Sequence, residues 1–266
     1  MVADTIHISL SAETIFHVGT FAITNSMFTS TVVSLLLIVV AILANRQLKM
    51  TDRPMGLQNF VEWVVETLFT LVHSITHDLR KTNRFFPLIA TFFLFILLNN
   101  WFGLLPGVGS ITKDTKSDKS EQIEESTQKA EVSYVAPPLF RAGTADLNTT
   151  LALAIISLLA TQIFGVHAQH LSYFKKFINL SSPMMFFVGI LELISEFAKV
   201  ISFAFRLFGN IFAGEVLLVV IAALLPLGVP LPFYGLELFV GFIQALVFSM
   251  LSLVFFNVAA ISHDEH

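Results

Sequence analysis

The sequence has no cysteine and few charged residues, which are 13% of its 266 positions. The lack of cysteine excludes disulfides, thiolate nucleophiles and cysteine-ligated metals. A soluble domain needs roughly 25% charged residues to cover its surface. Hydrophobic residues make up 55% of the chain and the mean hydropathy is +0.78, so apolar side chains must face lipid. The net charge of −4 gives no indication of a nucleic-acid partner.

Three charge-free runs of the first two thirds of the chain predict membrane spans at 27–44, 85–106 and 147–166. The first is interpreted as a retained span, because residues 1–26 lack the Lys and Arg of a cleavable signal peptide. Between the first two runs, apolar residues recur at helical spacing over 57–79 opposite a polar face. This pattern predicts an amphipathic helix that lies on the membrane surface or against a partner.

The distribution of basic residues predicts the orientation in the membrane. Residues 1–26 contain no Lys or Arg, whereas 45–84 contain six. Because basic residues concentrate on the cytoplasmic side, the N-terminus is placed outside and the C-terminus in the cytoplasm. Residues 107–146 carry five basic and seven acidic residues and predict a solvated external loop.

The last third of the chain predicts two unusually long helices at 184–225 and 233–262, separated by Pro226, Pro230 and Pro232. At 1.5 Å per residue they would be roughly 63 and 45 Å long. The hydrocarbon core is only about 30 Å thick, so both helices must be strongly inclined or kinked. The predicted fold is a single all-α membrane domain over 1–266, with about five embedded helices and one surface helix.

Polar residues of the first long helix fall on one stripe at 100° per residue; they are Glu192, Ser195, Glu196, Lys199, Ser202, Arg206 and Asn210. An arginine near a helix end would snorkel to the interface or hold helices together by pairing with a carboxylate. Arg206 lies in mid-helix, where an arginine costs about 2.5–3.5 kcal/mol and is functional by default.

Three further polar residues belong to this pattern. Glu215 lies about 180° around the helix from Arg206, and Glu237 and Gln244 share a face of the last helix. Two carboxylates on facing helices with an arginine between them would form two polar paths separated by a positive barrier. The alternative for Glu237, near its helix start, is a cap or an interface residue.

These residues carry a resemblance to a known family. Residues 206–215 read RLFGNIFAGE, residues 191–206 read LELISEFAKVISFAFR, and the last helix contains QALVF from Gln244. Together with TADLNTTLAL from Thr144, they resemble the signature of F-type ATP synthase subunit a. The resemblance covers nearly the whole chain except 107–140, which resembles an insertion.

The resemblance implies a role for each matching residue. Arg206 matches the essential arginine that faces the rotor ring of c subunits, attracts a deprotonated carboxylate and keeps two half-channels apart. Gln244 matches the glutamine beside that arginine, Glu215 the acid of the proton path, and Asn210 a polar path residue. Glu237 stands where some members carry His and others Glu.

The resemblance also implies path-lining residues. The cytoplasmic path would be lined by Glu192, Ser195, Glu196, Lys199 and Ser202. The outer path would use Asp146 and Asn148 with Glu215 and Glu237, because Gly103 stands where some members carry an acid.

The resemblance implies further properties of the whole protein. The expected partners are the c-ring, the peripheral-stalk b subunits and the rest of the synthase, in a bacterial plasma membrane. No cofactor and no catalytic site for ATP are expected in this chain, and the transported ion is H⁺ or Na⁺.

Two other classes of protein are alternatives for a chain of this composition. A secondary ion transporter or channel would show inverted repeats with interrupted helices at matching positions, and the two halves of this sequence differ in character. An intramembrane enzyme would need a catalytic motif, and neither His-Glu-x-x-His nor Gly-x-Ser-x-Gly occurs. His167 and His170 have no third ligand nearby and are interpreted as interface residues.

Overall fold

The computed structural model describes residues 12–18, 21–47, 56–105, 138–170, 173, 177, 182–225 and 228–261. The α-helices within these ranges are α1 Asn25–Gln47, α2 Leu57–Thr76, α3 Leu79–Gly103, α4 Leu147–Gln169, α5 Pro183–Leu224 and α6 Pro230–Ala259. All except α2 are long and apolar enough to cross a membrane. The predicted all-α, polytopic fold with five embedded helices is confirmed.

A short β-hairpin precedes the first helix and was not predicted. Strands β1 Thr14–Val18 and β2 Phe21–Thr24 pair antiparallel, with Thr14 opposite Thr24. Strand β2 runs directly into α1 at Asn25. Helix α1 therefore begins two residues before the predicted span 27–44 and ends three residues after it, at Gln47.

The junction of α2 and α3 differs from the prediction. Helix α2 ends at Thr76 rather than at 79, because His77 adopts a left-handed conformation with φ 53°. Asp78 then caps α3 by accepting a hydrogen bond of 2.8 Å from the Arg80 backbone N–H. Helix α3 thus begins at Leu79 instead of 85 and ends at Gly103 instead of 106. The sequence did not reveal this start because the first turn of α3 is basic. Long basic side chains at a helix end can nevertheless reach the membrane interface.

The two long helices also differ at their ends. The prediction 184–225 becomes Pro183–Leu224, and 233–262 becomes Pro230–Ala259. Pro230 and Pro232 lie inside the first turn of α6 and do not precede it, because the first helical turn needs no N–H donors from these positions. Helix α4 continues three residues beyond the predicted 147–166, to Gln169.

Helix α6 forms the centre of the bundle and packs against α3, α4 and α5. Phenylalanine rings fill much of the interface, as in the cluster of Phe85, Phe164 and Phe256, whose centroids lie 4.8–5.9 Å apart. The hairpin, the start of α1 and the start of α4 lie at one end of the bundle, called here the hairpin end. The ends of α4 and α6 lie at the other, called the α2 end, where Gln169 Nε2 donates to the Ala259 carbonyl at 3.0 Å.

Residues 141–146 are buried in the bundle, which corrects the prediction of a solvated loop over the whole of 107–146. A 3-10 turn, Gly143–Ala145, packs against α1, α3, α4 and α5. A Cβ at Gly143 would collide with the side chains of Ser30 and Asn99, so this close approach requires glycine. The charges that suggested solvation lie at 113–131, whereas 133–140 carry none. The part of the loop at 106–137 lies outside the described residues.

Candidate ion-translocation site

Arg206 lies in the middle of α5 and is exposed on its surface. Its neighbours Ile201 and Phe205 are also exposed, with 56% and 55% of their surfaces accessible. Among the residues that the structure describes, Arg206 has neither a hydrogen bond nor an ion pair. A permanently charged guanidinium therefore stands on the exposed and mainly apolar face of a membrane-crossing helix.

Asn210 and Gln244 connect α5 to α6 one turn beyond Arg206. The Asn210 side-chain Nδ2 donates to Gln244 Oε1 at 2.7 Å. Gln244 is buried, whereas Asn210 is exposed on the same side of α5 as Arg206. The bond fixes the relative height of the two helices next to the arginine.

Glu215 binds Arg141, a residue that the sequence did not indicate. The Arg141 Nε donates to both carboxylate oxygens of Glu215 at 3.1 Å, and a terminal guanidinium nitrogen lies 3.1 Å from Oε2. The Phe212 ring centroid lies 5.8 Å from the guanidinium carbon. Arg141 is buried and Glu215 is partly exposed. The predicted path acid is thus held in a charge-assisted, bidentate contact.

Glu237 is buried on α6 and its carboxylate lies against Gly214 of α5. A Cβ at Gly214 would collide with both carboxylate oxygens, so the glycine makes the space for the acid. Glu215, the next residue of α5, lies with Glu237 on the same side of Arg206 along the bundle, whereas the sequence pattern predicted one acid on each side of the arginine. Gly209, in contrast, has no described atom within 4 Å of the position that a Cβ would take.

A group of buried polar residues lies at the hairpin end of the bundle. Asp146 accepts from the Asn148 backbone N–H at 3.2 Å and caps α4, while the Asn148 side chain is exposed. Asn100 donates to the Gly241 carbonyl at 2.9 Å and accepts from the Thr144 hydroxyl. Further buried polar residues at this end include Asn25, Ser26, Thr29, Asn99 and Thr150. Polar side chains from α1, α3, α4 and the 3-10 turn thus lie at the same end of the bundle as the two acids.

A second polar group lies towards the α2 end, between α4 and α5. The Lys199 ammonium contacts Glu196 Oε1 at 2.9 Å, and Gln162 Nε2 donates to Glu196 Oε2 at 3.3 Å. Tyr173 donates its hydroxyl to Gln162 Oε1 at 2.8 Å. Ser157, Thr161, Glu196 and Lys199 line part of a cavity of about 10 Å³, roughly the size that holds one water molecule.

The predicted polar stripe of α5 is divided between two surfaces. Ser195 and Ser202 are exposed together with Arg206, while Glu196 faces the interior against α4 and Glu192 is half-buried. Glu196 and Glu215 lie ten and nine residues from Arg206, which corresponds to roughly 15 and 14 Å along the helix. The arginine therefore stands between two polar groups that lie towards opposite ends of the bundle.

Comparison with known proteins identifies the family of the chain. The family model described as ATP synthase A chain matches residues 27–257. The chain belongs to the ATP synthase subunit a family. It is 33% identical to ATP synthase subunit a of Gloeobacter violaceus over 241 residues, or 91% of this chain and 85% of that protein. It is also 33% identical to that of Trichlorobacter lovleyi over 251 residues, covering 93% and 92%.

Gly103 departs from the pattern expected of the subunit a family. A Cβ at Gly103 would lie 2.5 Å from the Ala142 Cβ, so an acidic side chain has no room there. The neighbouring Arg141 binds Glu215, the predicted path acid. Sequence reasoning missed Arg141, although its separation from the charged part of the loop by the uncharged run 133–140 was a signal of burial.

Histidines of the described residues do not assemble a metal site in this subunit a relative. Among these residues, no group of three or more His, Asp or Glu side chains is placed to hold a metal. His167 is exposed in the last turn of α4, and His170 ends that helix with φ 53°.

Proposed function

We propose that this chain is the stator subunit of an F-type ATP synthase, with two half-channels formed against a rotor ring of c subunits. The observation that carries the proposal is the exposed guanidinium of Arg206 on an apolar helix face, where no described residue pairs with it. Such a charge is costly in lipid unless an anion approaches it. In the proposed mechanism, this anion is a carboxylate of a rotor subunit that passes in front of this face.

The two polar groups support a path on each side of the arginine. One path runs from the hairpin end through Asp146, Glu215 and Glu237, with Asn148 exposed at its mouth. A proton delivered there neutralises a rotor carboxylate, which then rotates into lipid. After nearly a full turn the carboxylate loses its proton into the second path and is drawn to Arg206. The guanidinium stays charged and prevents direct leakage between the paths.

The second path opens towards the α2 end along Ser195, Ser202 and Glu192, with Glu196 and Lys199 behind it. Transfer of one charge across 100 mV releases about 2.3 kcal/mol, so several transfers are needed for each ATP. Rotation of the ring adds the free energies of the successive transfers together. The reverse direction, with ATP hydrolysis driving ion export, uses the same residues.

The proposal also includes location and partners. The hairpin end is placed outside and the C-terminus in the cytoplasm of a bacterial plasma membrane, from the basic residues of 45–84. The partners are the c-ring, peripheral-stalk b subunits and the remaining synthase subunits, which hold the ATP sites that this chain is proposed to lack. No cofactor is proposed, and the transported ion is proposed to be H⁺ or Na⁺.

ATP-driven proton pumping by inverted membrane vesicles tests this proposal. Arg206→Ala should abolish pumping while the complex remains assembled, and Arg206→Lys should remain severely defective, because an ammonium lacks the planar fork of a guanidinium. Arg84→Ala is the matched control, since Arg84 is also exposed on a membrane-crossing helix but lies in the first turns of α3. Normal pumping by Arg206→Ala would refute the proposal.

A further inference from the structure

Lys199 places a second positive charge on the helix that carries Arg206. It precedes Arg206 by seven residues, which is roughly 10 Å along α5 and almost two full turns, so both residues lie on nearly the same side of the helix. The Lys199 side chain is 29% exposed, and its ammonium lies 4.9 Å from the centroid of the Phe255 ring. In the proposed function this ammonium lies beside the second path, where an uncompensated positive charge would repel each passing proton.

The Glu196 carboxylate compensates this charge from inside the bundle. Glu196 Oε1 lies 2.9 Å from the Lys199 ammonium, and only 5% of the Glu196 side chain is exposed. Among the described residues, Lys199 has no other ion pair. Buried and partly buried charges are screened much less than charges on a surface. The position of the carboxylate therefore determines how strongly the lysine charge acts on its surroundings.

Two residues outside α5 fix the position of that carboxylate. Gln162 of α4 donates from Nε2 to Glu196 Oε2 at 3.3 Å, so the two carboxylate oxygens are held by different side chains. The Tyr173 hydroxyl donates to Gln162 Oε1 at 2.8 Å. This second hydrogen bond determines which end of the Gln162 amide faces Glu196, because a flipped amide would place its oxygen against the carboxylate.

Close packing holds Tyr173 itself in place. The residue is 1% exposed, and a Cβ at Gly165 of α4 would collide with its ring. The Phe177 ring packs edge to face against the Tyr173 ring, with 5.7 Å between the centroids. A continuous chain of contacts therefore leads from a tightly packed aromatic side chain, through Gln162 and Glu196, to the lysine charge.

We infer that Gln162 and Tyr173 are positioning residues of the second path, which hold the Glu196 carboxylate against Lys199 so that the lysine adds no further positive barrier beside Arg206. The inference rests on the proposed function, because the lysine charge has this effect only if protons pass near it. A proton at the level of Arg206 would lie roughly 10 Å from Lys199 along the helix. At an effective dielectric constant of about 20, an uncompensated charge at that distance changes a rate by roughly tenfold.

ATP-driven proton pumping by inverted vesicles, measured per assembled complex, tests this inference in a double-mutant cycle with Lys199→Gln. Gln162→Met keeps the approximate size of the side chain and removes its hydrogen bonds. With Lys199 present, it should lower the rate several-fold, and Tyr173→Phe should lower the rate less. In the Lys199→Gln background, both substitutions should leave the rate of that background nearly unchanged, because no lysine charge remains to be compensated. A purely structural role would lower the rate by the same factor in both backgrounds.

Gln169→Met is the matched control, because Gln169 also lies on α4 but donates to backbone carbonyls at the end of α6 and just after it. Its rate per assembled complex should be normal. Equal effects of Gln162→Met in the two backgrounds, or an inactive Lys199→Gln, would overturn the inference. If Gln162→Met does not assemble, Tyr173→Phe decides by the same comparison. Active Arg206→Ala rejects the proposed function, whereas inactive Arg206→Ala with equal effects in both backgrounds rejects this inference alone.

Discussion

Replacement of either partner of the Arg141–Glu215 ion pair by leucine should destabilise the protein to unequal extents. The reason is the different burial of the two side chains, of which 6% is exposed for Arg141 and 38% for Glu215. Each single substitution breaks this ion pair and leaves the other charge in place. The cost therefore depends on which charge remains and on whether water can reach it.

The structure gives the order of the effects. Glu215→Leu leaves a nearly buried guanidinium that cannot lose its proton, for which a cost of about 3–5 kcal/mol is expected. Arg141→Leu leaves a carboxylate that is more than one-third exposed, so the expected cost falls to roughly 1–2 kcal/mol. The double replacement removes both charges and should be close to neutral for stability.

The apparent melting temperature of the purified complex measures this order, and ATP synthesis by vesicles is measured in parallel. The double variant should recover the stability that Glu215→Leu loses. It should not recover ATP synthesis, because the proposed path acid is still absent. A larger loss for Arg141→Leu than for Glu215→Leu would contradict the argument from burial. So would a double variant in which the two losses simply add.

Two close contacts lead to further predictions. Gly214→Ala should force the Glu237 carboxylate away at a cost of about 1–3 kcal/mol. The amount of assembled complex in membranes should fall, and it should recover when Glu237→Ala is added. An unchanged amount in Gly214→Ala would contradict the contact. Gly165→Ala should displace the Tyr173 ring and break its bond to Gln162, lowering the melting temperature. Tyr173→Phe, which removes only the hydroxyl, should cost about 1 kcal/mol of stability. If Tyr173→Phe lowers the melting temperature as much as Gly165→Ala or more, ring displacement is not the main effect of Gly165→Ala.

The sequence predicted the membrane helices because lipid imposes a simple rule: about 20 consecutive apolar residues are needed to cross the core. The rule fails where other forces determine a helix end. Asp78 starts α3 among charged residues by capping it, and Pro230 starts α6 because its fixed φ suits the first turn. The hairpin strands of four and five residues are too short to give a distinct pattern.

The candidate site was predictable only in part. The contact of Asn210 with Gln244 is consistent with helix faces that can be read from residue spacing. The pairing of Arg141 depends instead on how residues 138–146 fold back into the bundle, and no local periodicity encodes that. An angular stripe also cannot tell which of its residues a neighbouring helix will cover, as the burial of Glu196 by α4 illustrates.

Helix α5 runs without interruption for 42 residues. A continuous helix has a constant rise and rotation per residue, so hydrogen bonds and covalent geometry set the offsets between its charges. The distances along α5 between the arginine and the acids on either side of it are therefore fixed. In the proposed mechanism, the large movements are therefore those of the rotor. The angle through which each rotor carboxylate has turned then determines when a proton is taken up or released.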